Sequence, residues 1–207
     1  MNLIEKILPA NTLEGLRNAD RLWQEMRSDN TSIPEIVFES EKSLDSLDWD
    51  VVICGGTLGI LIGTTLQKLG WRVAIVERGI LRGRDQEWNI SRQELEVFLE
   101  LNILTERELD RTIATEYNPA RVSFNEDTNI WVKDVLNLGV DPVFLLDTLK
   151  QKFLESGGKI FEKIAFDSAT VHPNGVLIKA EESTFKTRLL IDAMGHFSPI
   201  SKQARDG

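Results

Sequence analysis

The sequence predicts an α/β fold built on a parallel sheet, and three observations carry that prediction. Val51-Val52-Ile53-Cys54 is a short, uninterrupted apolar run of the kind required by a strand covered on both faces. A glycine-rich turn, Cys54-Gly55-Gly56-Thr57-Leu58-Gly59, follows at once and leads into a helical stretch from Ile60 to Leu69. Arg72-Val73-Ala74-Ile75-Val76 is then a second buried run, ending at Glu77. Strand, turn, helix and strand in under 30 residues make a βαβ unit.

Residues 1–48 read as a separate acidic helical extension and linker, and residues 49–207 as the main domain. Asn11 serves as an N-cap with Glu14 as its capping-box partner. Leu13, Leu16, Leu22, Trp23 and Met26 recur near helical spacing, so the pattern predicts a helix over roughly 12–28. The expected role of that Leu/Trp stripe is packing on the main domain, with a partner-binding helix as the alternative. Ser28 to Asp48 is polar, contains Pro34 and reads as a linker.

Beyond the βαβ unit, Gly70 is placed to end the first helix as its C′ residue. Ser91 with Glu94 and Thr105 with Glu108 are capping boxes that open two more helices, the first running to about Asn102. Ile130-Trp131-Val132 reads as a strand. Asp141-Pro142 pairs an N-cap with a proline at the first helical position, opening a helix to about Glu155 that Gly157-Gly158 stops. Strand-like segments follow at Lys159 to Phe166, Ala169 to His172, Val176 to Ala180 and Thr187 to Ile191. Pro173-Asn174-Gly175 joins two of them as a hairpin.

Composition excludes several classes. A net charge of −9 without a basic stripe argues against binding a nucleic-acid backbone. The single cysteine, Cys54, cannot form an internal disulfide, and its place beside the glycine turn suggests burial rather than redox chemistry. No metal-ligand spacing or Ser/His/Asp arrangement occurs, and His172 and His196 stand in no informative pattern. The N-terminus lacks the charged start and cleavage pattern of a signal peptide, and no apolar run approaches the roughly 20 residues of a membrane span. A cytosolic location is the expectation.

The glycine turn is the motif with chemistry. In a Rossmann-like dinucleotide-binding unit, G-x-G-x-x-G lets a pyrophosphate approach the backbone at the N-terminus of a helix, where free N–H groups and the dipole favour an anion. With Gly56 and Gly59 as second and third glycines, Cys54 occupies the first position, which is tolerable if its φ is negative. The other alignment keeps Gly55 as the first glycine and shortens the turn. Thr57 offers a hydroxyl, and Leu58 a backbone N–H. Glu77 lies 21 residues beyond Gly56, close to the spacing of about 20 for the acid that binds a ribose hydroxyl. Arg78 follows it. The bland alternative is a tight turn in some other α/β fold.

The C-terminal third chooses between cofactors by resemblance. Leu189-Leu190-Ile191-Asp192-Ala193-Met194-Gly195 is similar to the D-A-x-G segment of the FAD-dependent enzymes that include aromatic hydroxylases, halogenases, geranylgeranyl reductases and lycopene cyclases. In that superfamily a crossover β-meander returns to the parallel sheet, and the segment lies beside the cofactor. The resemblance implies FAD, with Asp192, Ala193 and Gly195 at the site and the backbone near Ala165 close to the adenine. Close backbone approach is the expected reason for Gly195.

Two longer strings are more specific: Arg84-Asp85-Gln86-Glu87-Trp88-Asn89-Ile90-Ser91-Arg92, and Asn129-Ile130-Trp131-Val132-Lys133-Asp134-Val135-Leu136-Asn137-Leu138-Gly139-Val140. With the glycine turn they resemble the CruA/CruP-type lycopene cyclases of phototrophs, the CruP-like branch most, over about residues 49–207. That resemblance implies an apolar polyene (carotenoid) substrate whose end group is cyclised without net redox change, and leaves room for contact with a photosynthetic membrane surface. Protonation by a general acid and cation stabilisation would drive such a ring closure.

Arg84, Gln86, Asn89 and Arg92 are candidates to donate to the cofactor, from a loop and a first helical turn. For Ser91 a plain N-cap is the simpler role, and for Arg92 a solvated charge. Trp88 and Trp131 are candidates to face the polyene or the flavin, against an ordinary core role. Glu87, the only acid in the more specific Glu87-Trp88-Asn89-Ile90-Ser91-Arg92 string, is a weak candidate for general acid, against a plain surface role. A second contact that the superfamily makes through a Gly-Asp pair falls after the D-A-x-G strand and is absent here, so the chain is expected to be an incomplete FAD-binding domain with an exposed apolar patch and weak folding. The open alternatives are an FAD-dependent monooxygenase or reductase, and a non-catalytic flavoprotein paralogue.

Overall fold

The computed structural model describes residues 7–27, 35–84, 86, 88–124 and 128–206. They fall into two units, one comprising Met1–Pro34 and the other Glu35–Arg205. The first unit contains helix α1, Ala10–Arg27, which exposes Leu16 and Trp23. The helix begins at Ala10, so Asn11 lies inside it and is not the N-cap that the sequence suggested.

The second unit contains, in chain order, β1 (Val37–Glu39), β2 (Trp49–Cys54), α2 (Gly56–Lys68), β3 (Val73–Glu77), β4 (Trp88–Ile90), α3 (Arg92–Glu100), α4 (Glu106–Thr112), β5 (Ile113–Glu116), β6 (Ala120–Ser123), β7 (Asn129–Val132), β8 (Leu138–Val140), α5 (Pro142–Glu155), β9 (Lys159–Glu162), β10 (Ser168–His172), β11 (Gly175–Ala180), β12 (Ser183–Asp192) and α6 (Pro199–Asp206). The main sheet has seven strands in the order β1-β10-β11-β12-β2-β3-β9. Strands β12, β2, β3 and β9 run parallel, while β10, β11 and β12 form an antiparallel meander. This is the mixed α/β architecture read from the sequence.

Burial on both faces explains the unbroken apolar runs. Val51, Ile53, Val73 and Ile75 pack on one face with Ile60 of α2 and Leu146, Leu149 and Phe153 of α5. Val52, Cys54, Ala74 and Val76 point to the other face, where Ile178, Ala180 and Phe185 of the meander join them. Phe161 meets Phe185 edge-on with ring centroids 4.9 Å apart, within the favourable range for aromatic pairs. Strand β12 pairs with β11 through Thr187 and with β2 from Thr187 to Asp192. One strand thus carries the chain from the meander back to the parallel sheet.

The local punctuation follows its chemistry. Two residues past the end of α2, Gly70 turns the chain with φ 89°, where the Gly70 N–H reaches the Gln67 carbonyl and the Trp71 N–H the Leu66 carbonyl, so orphan carbonyls of the last turn are paired. Both capping boxes form at Ser91 and Thr105, and Asp141 accepts from the Val143 and Phe144 N–H groups. The hairpin register sets His172 opposite Gly175, leaving Pro173-Asn174 as the turn.

The structure departs from the sequence reading in several places. Part of the linker, Val37–Glu39, is an edge strand parallel to β10. Asn89 lies in a strand, β4, rather than in a loop. That strand joins a second sheet, β4-β8-β5, and β6 pairs with β7 in a separate ribbon. Strands of three or four residues are too short to show a periodicity, and β4 and β5 find their common partner β8 far along the chain. Strand β9 ends at Glu162, four residues before the expected Phe166. The ribbon leaves Val122, Ile130 and Trp131 exposed, with Phe124 beside it. Among the described residues no helix is long and apolar enough to cross a membrane.

Candidate functional site

Three segments meet at the C-terminal ends of β2, β3 and β12. The first is the glycine turn. Gly55 has φ +101°, outside the range of L side chains, and donates its N–H to the Val76 carbonyl at 2.8 Å. A Cβ at Gly55 would lie 2.3 Å from the Ala193 carbonyl oxygen. Gly56 opens α2, and a Cβ there would lie 2.7 Å from Leu81 Cδ1. At Gly59 a Cβ would meet Ile53 Cγ2 at 2.7 Å, so this glycine sets the close packing of helix on strand. Close packing of helix on strand is the role expected of the third glycine, which Gly59 occupies in either alignment. Cys54, in the first position, has no positive φ, as its tolerance there requires.

The turn leaves polar groups for an anion. The N-cap residue of α2 has no side chain to cap it, and the N–H groups of a first helical turn lack intrahelical acceptors; of these, the Gly56 N–H is taken by Glu77. Thr57 is half-buried and Leu58 exposed at this end.

The second segment is Glu77 and the loop after it. Glu77 Oε2 accepts the Gly56 N–H at 2.7 Å, and Oε1 accepts the Gly79 N–H at 2.8 Å. Each carboxylate oxygen retains acceptor capacity, so the group can still take ribose hydroxyls. The loop from Arg78 begins exposed and alternates from Ile80 to Arg84. Leu81 and Gly83 are buried, while Arg78, Arg82 and Arg84 are exposed. Sequence reading passed over Arg82, since only the fold shows that it shares the outer side of this loop with Arg78 and Arg84.

The third segment is Asp192-Ala193-Met194-Gly195. Asp192 stands opposite Cys54 in the parallel register, and the Ala193 N–H bonds the Cys54 carbonyl at 2.8 Å. Asp192 Oδ1 accepts the Met194 N–H at 3.0 Å, and Oδ2 accepts the buried Ser198 hydroxyl. Ser198 Oγ in turn accepts the Ser201 N–H in the first turn of α6. Gly195 is not packed against other protein segments, which leaves its outer side open. No protein atom lies within 4 Å of a Cβ built there, and its φ of +74° is what favours glycine. Cys54 is buried beneath the turn, where desolvation, with Asp192 adding to it, pushes its thiol up to about 12.

The remaining candidates lie elsewhere or are already engaged. The Gln86 N–H bonds the Arg84 carbonyl, and both residues are exposed. Asn89 Oδ1 accepts the Tyr117 hydroxyl at 2.8 Å, and Arg92 pairs with Glu116 at 2.9 Å, so both belong to a surface network on the small sheet. Ser91 is the N-cap of α3. Trp88 packs against the core, while Trp131 is 62% exposed. The Ala165 N–H donates to Glu181. Glu87, the general-acid candidate, lies outside the described residues. Among the described residues no cluster of His, Cys, Asp and Glu is arranged to hold a metal ion.

No protein-family model matches this sequence, and no curated protein matches it. Solved structures do. One is the Diels-Alderase PyrE3 of the biosynthetic pathway of pyrroindomycins, with a TM-score of 0.62 at 17% identity over 75% of this chain and 34% of that one. The halogenase PltM in complex with phloroglucinol and FAD gives 0.56 at 19% identity, over 76% of this chain and 36% of that one. The anhydrotetracycline hydroxylase OxyS from Streptomyces rimosus gives 0.58 at 16% identity, over 74% and 33%. The chain spans about a third of the length of these structures. At such identities the likeness concerns architecture: this chain has the α/β fold found in FAD-dependent flavoenzymes.

Proposed function

We propose that the chain binds FAD at the C-terminal ends of β2, β3 and β12 and serves as the cofactor-binding part of a flavoenzyme. One observation carries the reading. The glycine turn, Glu77 and Asp192-Ala193 converge where open α/β sheets bind ligands, at the carboxyl ends of parallel strands. The residues present fit a dinucleotide. A side chain at Gly55 or Gly56 would clash, the N-cap residue of α2 offers no side chain, and Glu77 sits at the end of the neighbouring strand, where it takes the Gly56 N–H. The α2 N-terminus would hold the pyrophosphate, and Glu77 a ribose hydroxyl. FAD would supply a redox-active ring system, which in its reduced, anionic form is electron-rich. The direct test is the absorption spectrum of the purified chain, with FAD quantified after denaturation. Stoichiometric flavin supports the reading; a folded sample that takes up no added FAD overturns it.

Within that class, the Glu87-Trp88-Asn89-Ile90-Ser91-Arg92 string favours carotenoid end-group cyclisation, with the flavin in a non-redox role. A second reading, monooxygenation or a related redox reaction, draws support from the hydroxylase and halogenase among the structural neighbours. Product mass separates the two. Cyclisation leaves the polyene mass unchanged, whereas monooxygenation adds an oxygen atom and consumes a nicotinamide reductant. Flavin binding without either product would favour a non-catalytic paralogue.

A further inference from the structure

The loop after β3 is held by an ion pair that the motif reading did not use. Glu162 ends β9 and is the register partner of Glu77 at the end of β3. Like charges placed opposite each other across strands repel. Lys150 of α5 offsets that repulsion, with Nζ 2.6 Å from Glu162 Oε1. The same Nζ donates to the Leu81 carbonyl at 3.3 Å, and the same Oε1 accepts the Leu81 N–H at 2.8 Å. Both polar groups of the Leu81 backbone are therefore gripped by one charged pair, each member about a quarter exposed.

This grip bears on the candidate site through Leu81. Its side chain is 2% exposed and lies flush against Gly56, the first residue of α2. On either side the loop has further anchors. The Gly79 N–H is bound by Glu77, and Gly83 lies so close to the Pro142 backbone that a Cβ would come within 2.3 Å of it. Leu81 is the point between them, and Lys150 and Glu162 supply its polar contacts. Without the pair, Leu81 loses two charge-assisted hydrogen bonds and its register against Gly56.

We propose that Lys150 and Glu162 are positioning residues that act as one latch, seating Leu81 against Gly56 and so fixing the glycine turn for a dinucleotide. The consequence for binding rests on the FAD reading above; the latch itself does not. The test measures amide exchange at Leu81 and Gly56 in the free chain, and the FAD dissociation constant by fluorescence titration. The variants are Lys150→Met, Glu162→Gln, the double substitution, and Lys150→Arg.

Lys150→Met and Glu162→Gln should each speed exchange at Leu81 and raise the dissociation constant about tenfold, the effect of losing a charged hydrogen bond. The double variant should be no worse than the more affected single one, and Lys150→Arg should restore most of the affinity. Unchanged Leu81 exchange in both single variants overturns the latch, as does a double variant whose effect is the product of the two. If the unmodified chain binds no FAD, the functional reading fails while the exchange measurements still decide the latch.

Discussion

The carbonyl oxygen of Ala193 stands 2.3 Å from where a side chain on Gly55 would begin. Two motifs 138 residues apart in the chain thus meet backbone to backbone, joined by the pairing of β12 with β2. The glycine turn and the D-A-x-G segment are two halves of one structure, and a change in either is felt by the other.

Gly55→Ala should be costly for two reasons. The Cβ collides with main chain, which cannot move away as a side-chain end would, and φ +101° is strained for alanine. A loss of about 3 kcal/mol or more in urea unfolding is expected, with loss of flavin uptake. Gly195→Ala is the contrast. With open space around it and φ +74°, only the conformational term of about 1 kcal/mol applies.

Glu77→Ala removes the acceptor of two N–H groups, at Gly56 and Gly79. Stability should fall by about 2 kcal/mol, and FAD affinity should fall with it. Glu77→Gln keeps one good acceptor oxygen and should recover part of the stability but little of the affinity. Paired urea melts and flavin titrations would show that split.

Asp50 and Arg72 form a hydrogen-bonded pair at the start of β2, with Arg72 Nη2 3.1 Å from Asp50 Oδ1. The guanidinium holds the Asp50 carboxyl below its ordinary value of 3.8. A carboxyl depressed in the folded state contributes stability that is fully present above 3.8 and is lost as pH falls below it. The stability difference between the natural chain and Asp50→Asn should therefore be constant from neutral pH down to that value, then shrink. Urea midpoints across a pH series would reveal the pattern.

Cys54 should resist thiol reagents at neutral pH while the chain is folded. It is fully buried, and that burial pushes its thiol up to about 12. Only the thiolate reacts, so labelling should await unfolding. Because the chain has one cysteine, labelling in increasing denaturant gives an opening curve for the base of the glycine turn.

The sequence by itself determined the βαβ unit, both capping boxes, the Asp141-Pro142 helix start and the Pro173-Asn174 hairpin. These signals are local: an apolar run, a cap, a glycine with positive φ or a turn residue acts within a few positions of itself. It also placed Glu77 at the end of β3 by spacing alone. Tertiary structure decided the rest. That Gly55 is required by Ala193, that Glu162 stands beside Glu77, and that Lys150 reaches Leu81 all depend on strand order and register. The short strands β1, β4 and β8 likewise exist through distant partners rather than through their own residues. Pairing energy between segments far apart in the chain leaves no period or spacing to read, so the completed sheet alone brings those residues together.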